Sequence, residues 1–360
     1  AWCISMINIK NIYYMLAYAY QVLNEKGYVQ FSSEKFENIH SLLAAILAKG
    51  LSLQVKKGLA KKYIENEEPL MSVRGKIKIS DTIKSSFNSK RIVCAFDEFS
   101  DNIMINKILK STAILLLKSG DVEKETKKSL KKSLIFFGNV QEIDLKAVRW
   151  NDIRYDRNNA SYKMLINICY LLAKGLLISE ETGKMKFADI FDEQRMNRLY
   201  EKFILEYYKR HHPALRPAAL RIKWNTDDGF IDFLPQMNSD ITLCFMEKEL
   251  IIDAKYYKHS MQTGRFNKKT VHSNNLYQIY TYVKNKDIEK SGNVSGMLLY
   301  AKTDEEISPD YDYKLDKNSI SVKNLDLNTE FELIASQLDN IAYKWAPELA
   351  EYEKAVKERV

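Results

Sequence analysis

Leu250-Ile-Ile-Asp253-Ala-Lys255-Tyr-Tyr257 is the stretch on which the fold of this chain turns. Three aliphatic residues in a row, followed at once by an acid and a base, describe a buried strand whose end opens onto polar chemistry. Side chains alternate along a strand, so Asp253 and Lys255 share one face, while Ala254 offers its backbone carbonyl. Upstream stands Asp240, followed by the apolar run Ile241-Thr-Leu-Cys-Phe245, and the charged turn Glu247-Lys248-Glu249 joins the two runs. A hairpin of that length brings Asp240 beside Asp253. Two adjacent carboxylates in a partly buried place repel each other unless a cation sits between them. Mg²⁺ suits such a place, because it takes one or two carboxylates and keeps water in its remaining positions.

The lysine extends this logic. Phosphodiester hydrolysis needs a metal to polarise the phosphate and activate water, together with positive charge for the pentavalent state. Lys255, on the metal-facing side of the strand, is placed to position that water or neutralise that charge. The triplet alone reads more readily as a structural Asp–Lys pair at a strand end; Asp240 and a third element downstream reverse that balance toward chemistry. That element is the helix Asn275-Leu-Tyr-Gln278-Ile-Tyr-Thr-Tyr282, in which Gln278 and Tyr282, at i and i+4, share one face. A preceding helix carries Glu201, read either as an outer metal ligand or as a surface charge one turn from Arg198. His211, His212, His259 and His272 show no mutual metal spacing and read as polar loop residues or phosphate neighbours.

Outward from the hairpin, the second half alternates helix and strand. A helix is expected over 193–210, ended by Pro213. Strands are expected at 219–224, 229–234, 240–246, 249–254 and 295–300, with helices near 272–286 and 329–345. The first half reads as mostly helical, with apolar stripes over 7–23 and 36–62, a lysine-rich solvated helix at 121–132, and a helix through 162–177. Short strand signals at Met71–Ile79 and Arg91–Phe96 add a small β element. The polar run at 151–160 sets the expected boundary, giving domains of residues 1–160 and 161–360. The fold class is α+β or α/β.

Composition narrows the classes further. With 46% hydrophobic and 28% charged residues, and only 12 Gly and 6 Pro in 360, the chain is neither disordered nor loop-dominated. No unbroken apolar run approaches the length of a membrane span. The net charge of +8 is carried by residues 1–160, the rest being close to neutral. A basic half suits nucleic acid, an acidic protein partner, or a merely soluble surface. Within the second half, Lys258, Arg265, Lys268 and Lys269 make a basic stretch beside the acidic pair and are candidate DNA contacts. Cys3, Cys94, Cys169 and Cys244 are widely separated, with no zinc-ligand spacing, and the start lacks a signal-peptide pattern; a cytoplasmic location is expected.

The layout Asp240…Asp253-x-Lys255…Gln278-x-x-x-Tyr282 resembles the PD-(D/E)XK nucleases, particularly the RecB-like branch with its Q-x-x-x-Y helix. Ser239-Asp240 stands where that family has Pro-Asp. Along most of its length the chain resembles the McrC family, the nuclease subunits of McrBC methylcytosine-dependent restriction systems. The matching stretches include Ile9-Lys-Asn-Ile-Tyr-Tyr-Met-Leu16, Arg74-Gly-Lys-Ile77, Leu234-Pro-Gln-Met-Asn-Ser-Asp240, Ile252-Asp-Ala-Lys-Tyr-Tyr-Lys258 and His272-Ser-Asn-Asn-Leu-Tyr-Gln278.

The resemblance implies a restriction-endonuclease-like C-terminal domain, a central mixed sheet flanked by helices, that cuts DNA. It implies an N-terminal domain that binds an McrB-like AAA+ GTPase hexamer and stimulates its GTP hydrolysis, and a double-stranded, methylated DNA substrate. Asp240, Asp253 and the Ala254 carbonyl would hold Mg²⁺, with Glu201 further out; Lys255 would organise the nucleophile, and Gln278 with Tyr282 would support the site. Arg74, Lys76 and Arg91 are candidate partner contacts. These 360 residues contain no G-x-x-x-x-G-K-[ST] loop, so GTP is expected to act through the partner. Two alternatives stand beside this: a self-sufficient nuclease without a motor, and a non-catalytic adaptor of a GTPase ring.

Overall fold

The computed structural model describes residues 7, 9–20, 39–85, 91–156, 159, 161–182, 193–257, 261–263, 269–302 and 309–358. The chain forms two compact units, one of Glu37–Gly183 and one combining Ala1–Phe36 with Lys184–Val360. The division expected at residue 160 is therefore displaced at both ends. Helix α1 (Ile9–Ala19) belongs with the C-terminal unit. Its Tyr18 ring lies against Phe203, Tyr207 and Phe331, and Asn11 Nδ2 donates to the carbonyls of Leu327 (2.8 Å) and Thr329 (2.7 Å). An aromatic-rich helix buries its rings where a matching aromatic surface exists, and that surface lies far along the chain.

The unit 37–183 begins with α2 (Ile39–Lys57), which stops short of the expected residue 62 because Gly58 turns into the left-handed region, φ +87°. Lys62 instead opens strand β1 (Lys62–Leu70). After β2 (Lys76–Ile77) and α3 (Ile79–Ser85) comes β3 (Ile92–Ser100), which pairs antiparallel with both strands in the order β1-β3-β2. Only two residues of the expected 71–79 strand pair. Gly75 bends the chain at φ +70°, and a Cβ there would lie 2.3 Å from the Ala95 carbonyl oxygen. Helices α4 (Met104–Lys118), α5 (Lys124–Leu134) and α6 (Tyr162–Thr182) complete the unit. Helix α6 belongs here, not beyond the boundary: its Leu165, Ile168, Cys169 and Leu172 are buried, and the Tyr162 hydroxyl accepts from the Ala60 N–H at 2.7 Å.

In the C-terminal unit, α7 (Glu193–His211) is followed by two-residue strands β4 (Arg221–Ile222) and β5 (Met237–Asn238), then β6 (Ile241–Phe245) and β7 (Lys248–Lys255). The short hairpin β8 (Met261–Thr263) and β9 (Lys269–Val271) leads into α8 (Ser273–Lys286). Strands β10 (Val294–Ala301), β11 (Tyr311–Leu315) and β12 (Asn318–Leu325) come next, then α9 (Phe331–Trp345) and α10 (Glu348–Lys357). The main sheet is mixed, in the order β11-β12-β10-β7-β6; β7, β10 and β12 are parallel and both edges antiparallel. The expected strand at 229–234 is a loop.

Helix α8 covers one face of this sheet. Its Ile279, Tyr282 and Val283 pack on Ile251, Leu298, Tyr300, Ile320 and Val322. The close approach depends on Gly296, where a Cβ would stand 2.7 Å from Ile279 and 2.9 Å from both Ile320 and Val283. His212, expected as a polar loop residue, is instead a buried clamp. Its Nδ1 lies 2.8 Å from Glu353 and its Nε2 2.9 Å from Asp339, tying the end of α7 to α9 and α10. Burial alone would lower its pKa, but hydrogen bonds to the two carboxylates outweigh burial and raise it. Among the described residues no helix is long and apolar enough to cross a membrane.

Candidate active site

The β6–β7 ladder runs from Ile241↔Ile252 to Phe245↔Lys248, closed by the two-residue turn Met246-Glu247 with Met246 in the left-handed region, φ +52°. One step outward, the same register sets Asp240 opposite Asp253. Alternation then places Ile251, Asp253 and Lys255 on the sheet face that α8 covers. Lys255 Nζ donates to Asp253 Oδ1 at 2.9 Å and stands 4.0 Å from Asp240 Oδ2. The Ala254 N–H donates to Asp240 Oδ2 at 2.9 Å.

Ser239, where the resembling family has proline, pins this arrangement: its N–H donates to the Leu220 carbonyl at 2.9 Å and its Oγ accepts from the Leu220 N–H at 3.0 Å. Proline has no N–H and could not make the first bond.

Burial governs the electrostatics. The Asp253 side chain is 1% exposed, and its pKa is raised by loss of solvent and by the Asp240 charge, against the lowering pull of Lys255. Asp240 is raised by burial too, partly offset by Lys255 and the Ala254 N–H. Burial draws the Lys255 pKa down, yet the two aspartates overcome it and push it up, so the ammonium stays charged. Asp253 Oδ2 is buried with no hydrogen-bond partner. A carboxylate oxygen facing a second carboxylate, and left without a donor, is the chemistry a hard cation satisfies, so the residues present fit Mg²⁺.

Glu201 reaches the same neighbourhood from α7. Its carboxyl is pushed up to about 7, first by burial, then by the Asp240 charge, with Lys255 opposing. Among the described residues no three His, Cys, Asp or Glu side chains converge as a metal cluster. Asn197, one helical turn earlier, donates to Glu201 and accepts the Tyr256 N–H at 2.7 Å, fastening α7 to the end of β7. The sequence reading missed Asn197; its only local signal is the i, i+4 spacing to Glu201. It also missed Tyr300, which lies beside Lys255 in the β7–β10 register and whose hydroxyl accepts from Asn275 Nδ2 at 2.9 Å.

Gln278 and Tyr282 do share a face of α8, where Gln278 Nε2 donates to the Tyr282 hydroxyl at 2.8 Å. Lys258, Arg265 and Lys268 lie outside the described residues, and Lys269 opens β9. Arg74, Lys76 and Arg91 belong to the other unit, around its small sheet; the Arg74 guanidinium stacks on the Phe96 ring at 4.0 Å.

The sequence profile of a family described as McrBC 5-methylcytosine restriction system component matches residues 6–301. The type IV methyl-directed restriction enzyme EcoKMcrBC of Escherichia coli (strain K12) is 28% identical over 341 residues, covering 93% of this chain and 97% of the relative. A solved half-complex of Thermococcus gammatolerans McrB AAA+ hexamers with bound McrC is similar over 92% of this chain and 76% of that one, at 17% identity and a TM-score of 0.45. A second structure, of the Thermococcus gammatolerans McrBC complex, is similar over 56% of this chain and 58% of that one, at 18% identity and a TM-score of 0.38. With the profile spanning most of its length, the chain belongs to the family of McrBC 5-methylcytosine restriction system components.

Proposed function

We propose that this chain is the DNA-cutting subunit of an McrBC-type restriction complex: a Mg²⁺-dependent endonuclease that acts on double-stranded methylated DNA with an McrB-like AAA+ GTPase hexamer. Family membership supports the restriction setting, and the relative's description as methyl-directed supports the substrate. The observation that carries the chemistry is the opposed Asp240 and Asp253, with the Lys255 ammonium at 2.9 Å from one and 4.0 Å from the other, and an unsatisfied Asp253 oxygen.

In this reading Asp240, Asp253 and the Ala254 carbonyl hold Mg²⁺. Held there, Mg²⁺ would supply Lewis acidity toward a phosphodiester oxygen and a water molecule. Lys255, kept cationic by its two carboxylate neighbours, orients the attacking water and offsets the negative charge that gathers on the phosphoryl oxygens. Glu201, whose carboxyl titrates near neutrality, can hold a proton at the rim of the site. Asn197 and Tyr300 keep the strand end in place, and the Gln278 amide supports the site from α8. Lys258, Arg265, Lys268 and Lys269 supply phosphate contacts that position the duplex. The unit 37–183 engages the GTPase ring through the sheet region carrying Arg74, Lys76 and Arg91, and GTP acts only there.

The decisive experiment combines this chain with an McrB-like partner, GTP, Mg²⁺ and methylated DNA. Asp253→Ala should abolish cleavage while leaving stimulation of GTP hydrolysis intact, and calorimetric Mg²⁺ binding should vanish with it. Cleavage that survives both Asp240→Ala and Asp253→Ala would remove this site from the reaction. Robust cutting by the isolated chain would favour a nuclease that needs no motor.

A further inference from the structure

On the face of the main sheet away from α8, a cleft of about 790 Å³ opens between the strands and α9, a size that suits a small-molecule site. On the β7 side this face is apolar and closed, with Ile252, Ala254 and Leu299 fully buried. Toward β11 its character changes. Ser295 lies beside Leu250, Ser321 stands between Met297 and Asp312, and Ser319 pairs with Lys314. A sheet face that packs beneath a helix ordinarily carries aliphatic side chains. Short hydroxyl side chains fill little of the volume between the layers and leave it open to solvent. Asn340, Lys344 and Trp345 of α9 form the facing wall.

The chemistry of the lining selects a ligand. Two of its lysines are neutralised: Lys323 donates to Asp310 at 2.8 Å and Asp312 at 2.9 Å, and Lys248 lies 3.2 Å from Glu348. Lys314 and Lys344, both exposed, make no ion pair among the described residues. Burial tends to raise the Asp312 pKa, but hydrogen bonds from Ser321 and Lys323 and the charges of Lys323 and Lys344 together lower it. Lys344 therefore stands within electrostatic reach of the opposite wall, where Lys314 shares a face of β11 with Asp312. Two uncompensated ammonium groups match the near-double charge of a phosphomonoester. Trp345 is partly exposed beside Lys344, and its ring offers a stacking platform for a planar group. Ser295, Ser319 and Asn340, whose side chains have no hydrogen-bond partner among the described residues, offer donors and acceptors to hydroxyls or a base edge.

We infer that this cleft binds a nucleoside monophosphate, with the phosphate on Lys314 and Lys344, the base against Trp345 and the sugar among Ser295, Ser319 and Asn340. It opens near the start of β7 and on the opposite face of the sheet from Asp253 and Lys255, so it is a second site. Its existence does not rest on the nuclease reading. A free nucleotide and the phosphorylated end of a nucleic-acid strand present the same chemistry, and the test separates the two sources.

Calorimetric titration of the full chain with AMP, GMP, CMP and UMP, in chelator and without DNA, tests the site. At least one nucleotide should bind saturably at a single site and quench tryptophan fluorescence. Lys314→Ala and Lys344→Ala should each weaken binding by about tenfold or more, the loss of one charge-assisted contact. Both side chains are exposed, so the unfolding curve should not move. Trp345→Phe keeps a ring to stack on and should retain binding while losing most of the quench. Inorganic phosphate and the unphosphorylated nucleosides should each bind at least about tenfold more weakly than the nucleotide. If a 5′-phosphorylated oligonucleotide binds with the same dependence on both lysines, a strand end is the source; if it is excluded while the mononucleotide binds, the free nucleotide is. Absence of binding by all four nucleotides overturns the inference. So does binding that both lysine variants leave unchanged, or an affinity for inorganic phosphate equal to that for the nucleotide.

Discussion

Two antiparallel ladders in this chain invite comparison. β1 and β3 pair over nine residues, from Lys62↔Ser100 to Leu70↔Ile92, yet β1 has no buried position. β6 and β7 pair over only five, and most of those positions are buried. Both ladders carry acids. On the small sheet Glu67 meets Lys78 at 2.5 Å in the open, where water screens the pair. On the large sheet Asp240 and Asp253 lie under α8 and α7, where the same charges interact strongly and must be satisfied locally. What surrounds a carboxylate sets its charge state, and it is the shorter ladder that buries its acids.

The largest effect expected from breaking this contrast is on cleavage. Asp253→Ala should lower the rate by at least about 10²–10³-fold. It also strands the Lys255 ammonium, which at its low exposure should destabilise the C-terminal unit by about 3 kcal/mol in urea unfolding. A variant that keeps full activity would mean that burial here serves structure alone.

The two close-packed glycines come next. Gly75→Ala and Gly296→Ala should each cost about 1–3 kcal/mol. Gly75→Ala should be the worse, because its new Cβ meets a backbone carbonyl while that of Gly296 meets side chains that can yield. The first should diminish GTPase stimulation, and the second DNA cleavage. The reverse assignment would show that the units do not divide the work as proposed.

A smaller effect concerns pH. Asp240, Asp253 and Glu201 all have folded-state pKa values above their unfolded ones, Glu201 rising from 4.5 to about 7. The folded protein therefore binds more protons than the unfolded one between about pH 4 and 7, and stability contributed by these groups is lost as pH rises through that window. In chelator, stability should fall from pH 4 to 7; saturating Mg²⁺ or Asp253→Asn should flatten the fall. A slope that is identical in Asp253→Asn would assign the effect to other groups. The smallest prediction is the control: Lys78→Ala, which removes an exposed ion pair, should leave the unfolding curve unchanged.

How much of this was legible beforehand can be judged element by element. The hairpin, the shared face of Asp253 and Lys255, and the Gln278–Tyr282 pairing on α8 were readable, because each follows from a local period. The loop at 229–234 reads as a strand because its apolar run suggests pairing, but Phe233 takes a positive φ that no residue type announces. β11 and β12 escaped notice because their turn, Asp316-Lys317, adopts left-handed angles (φ 51° and 72°) without the glycine or asparagine that usually marks them. His212 looked like a loop residue because its two carboxylate partners lie 127 and 141 residues away.

By itself, then, the sequence determined what alternation and helical spacing can express: two aspartates and a lysine at one strand end, and the class of chemistry they suit. The tertiary structure alone decided that α1 joins the C-terminal unit, that α6 does not, that Asn197 ties α7 to the end of β7 beside Tyr300, and that Glu201 is buried close enough to the pair for the Asp240 charge to raise its pKa. The physical reason is range. Backbone periodicity acts over a few residues, whereas burial, which raises these carboxyl pKa values and leaves one aspartate oxygen without a donor, exists only once distant segments have closed over the site.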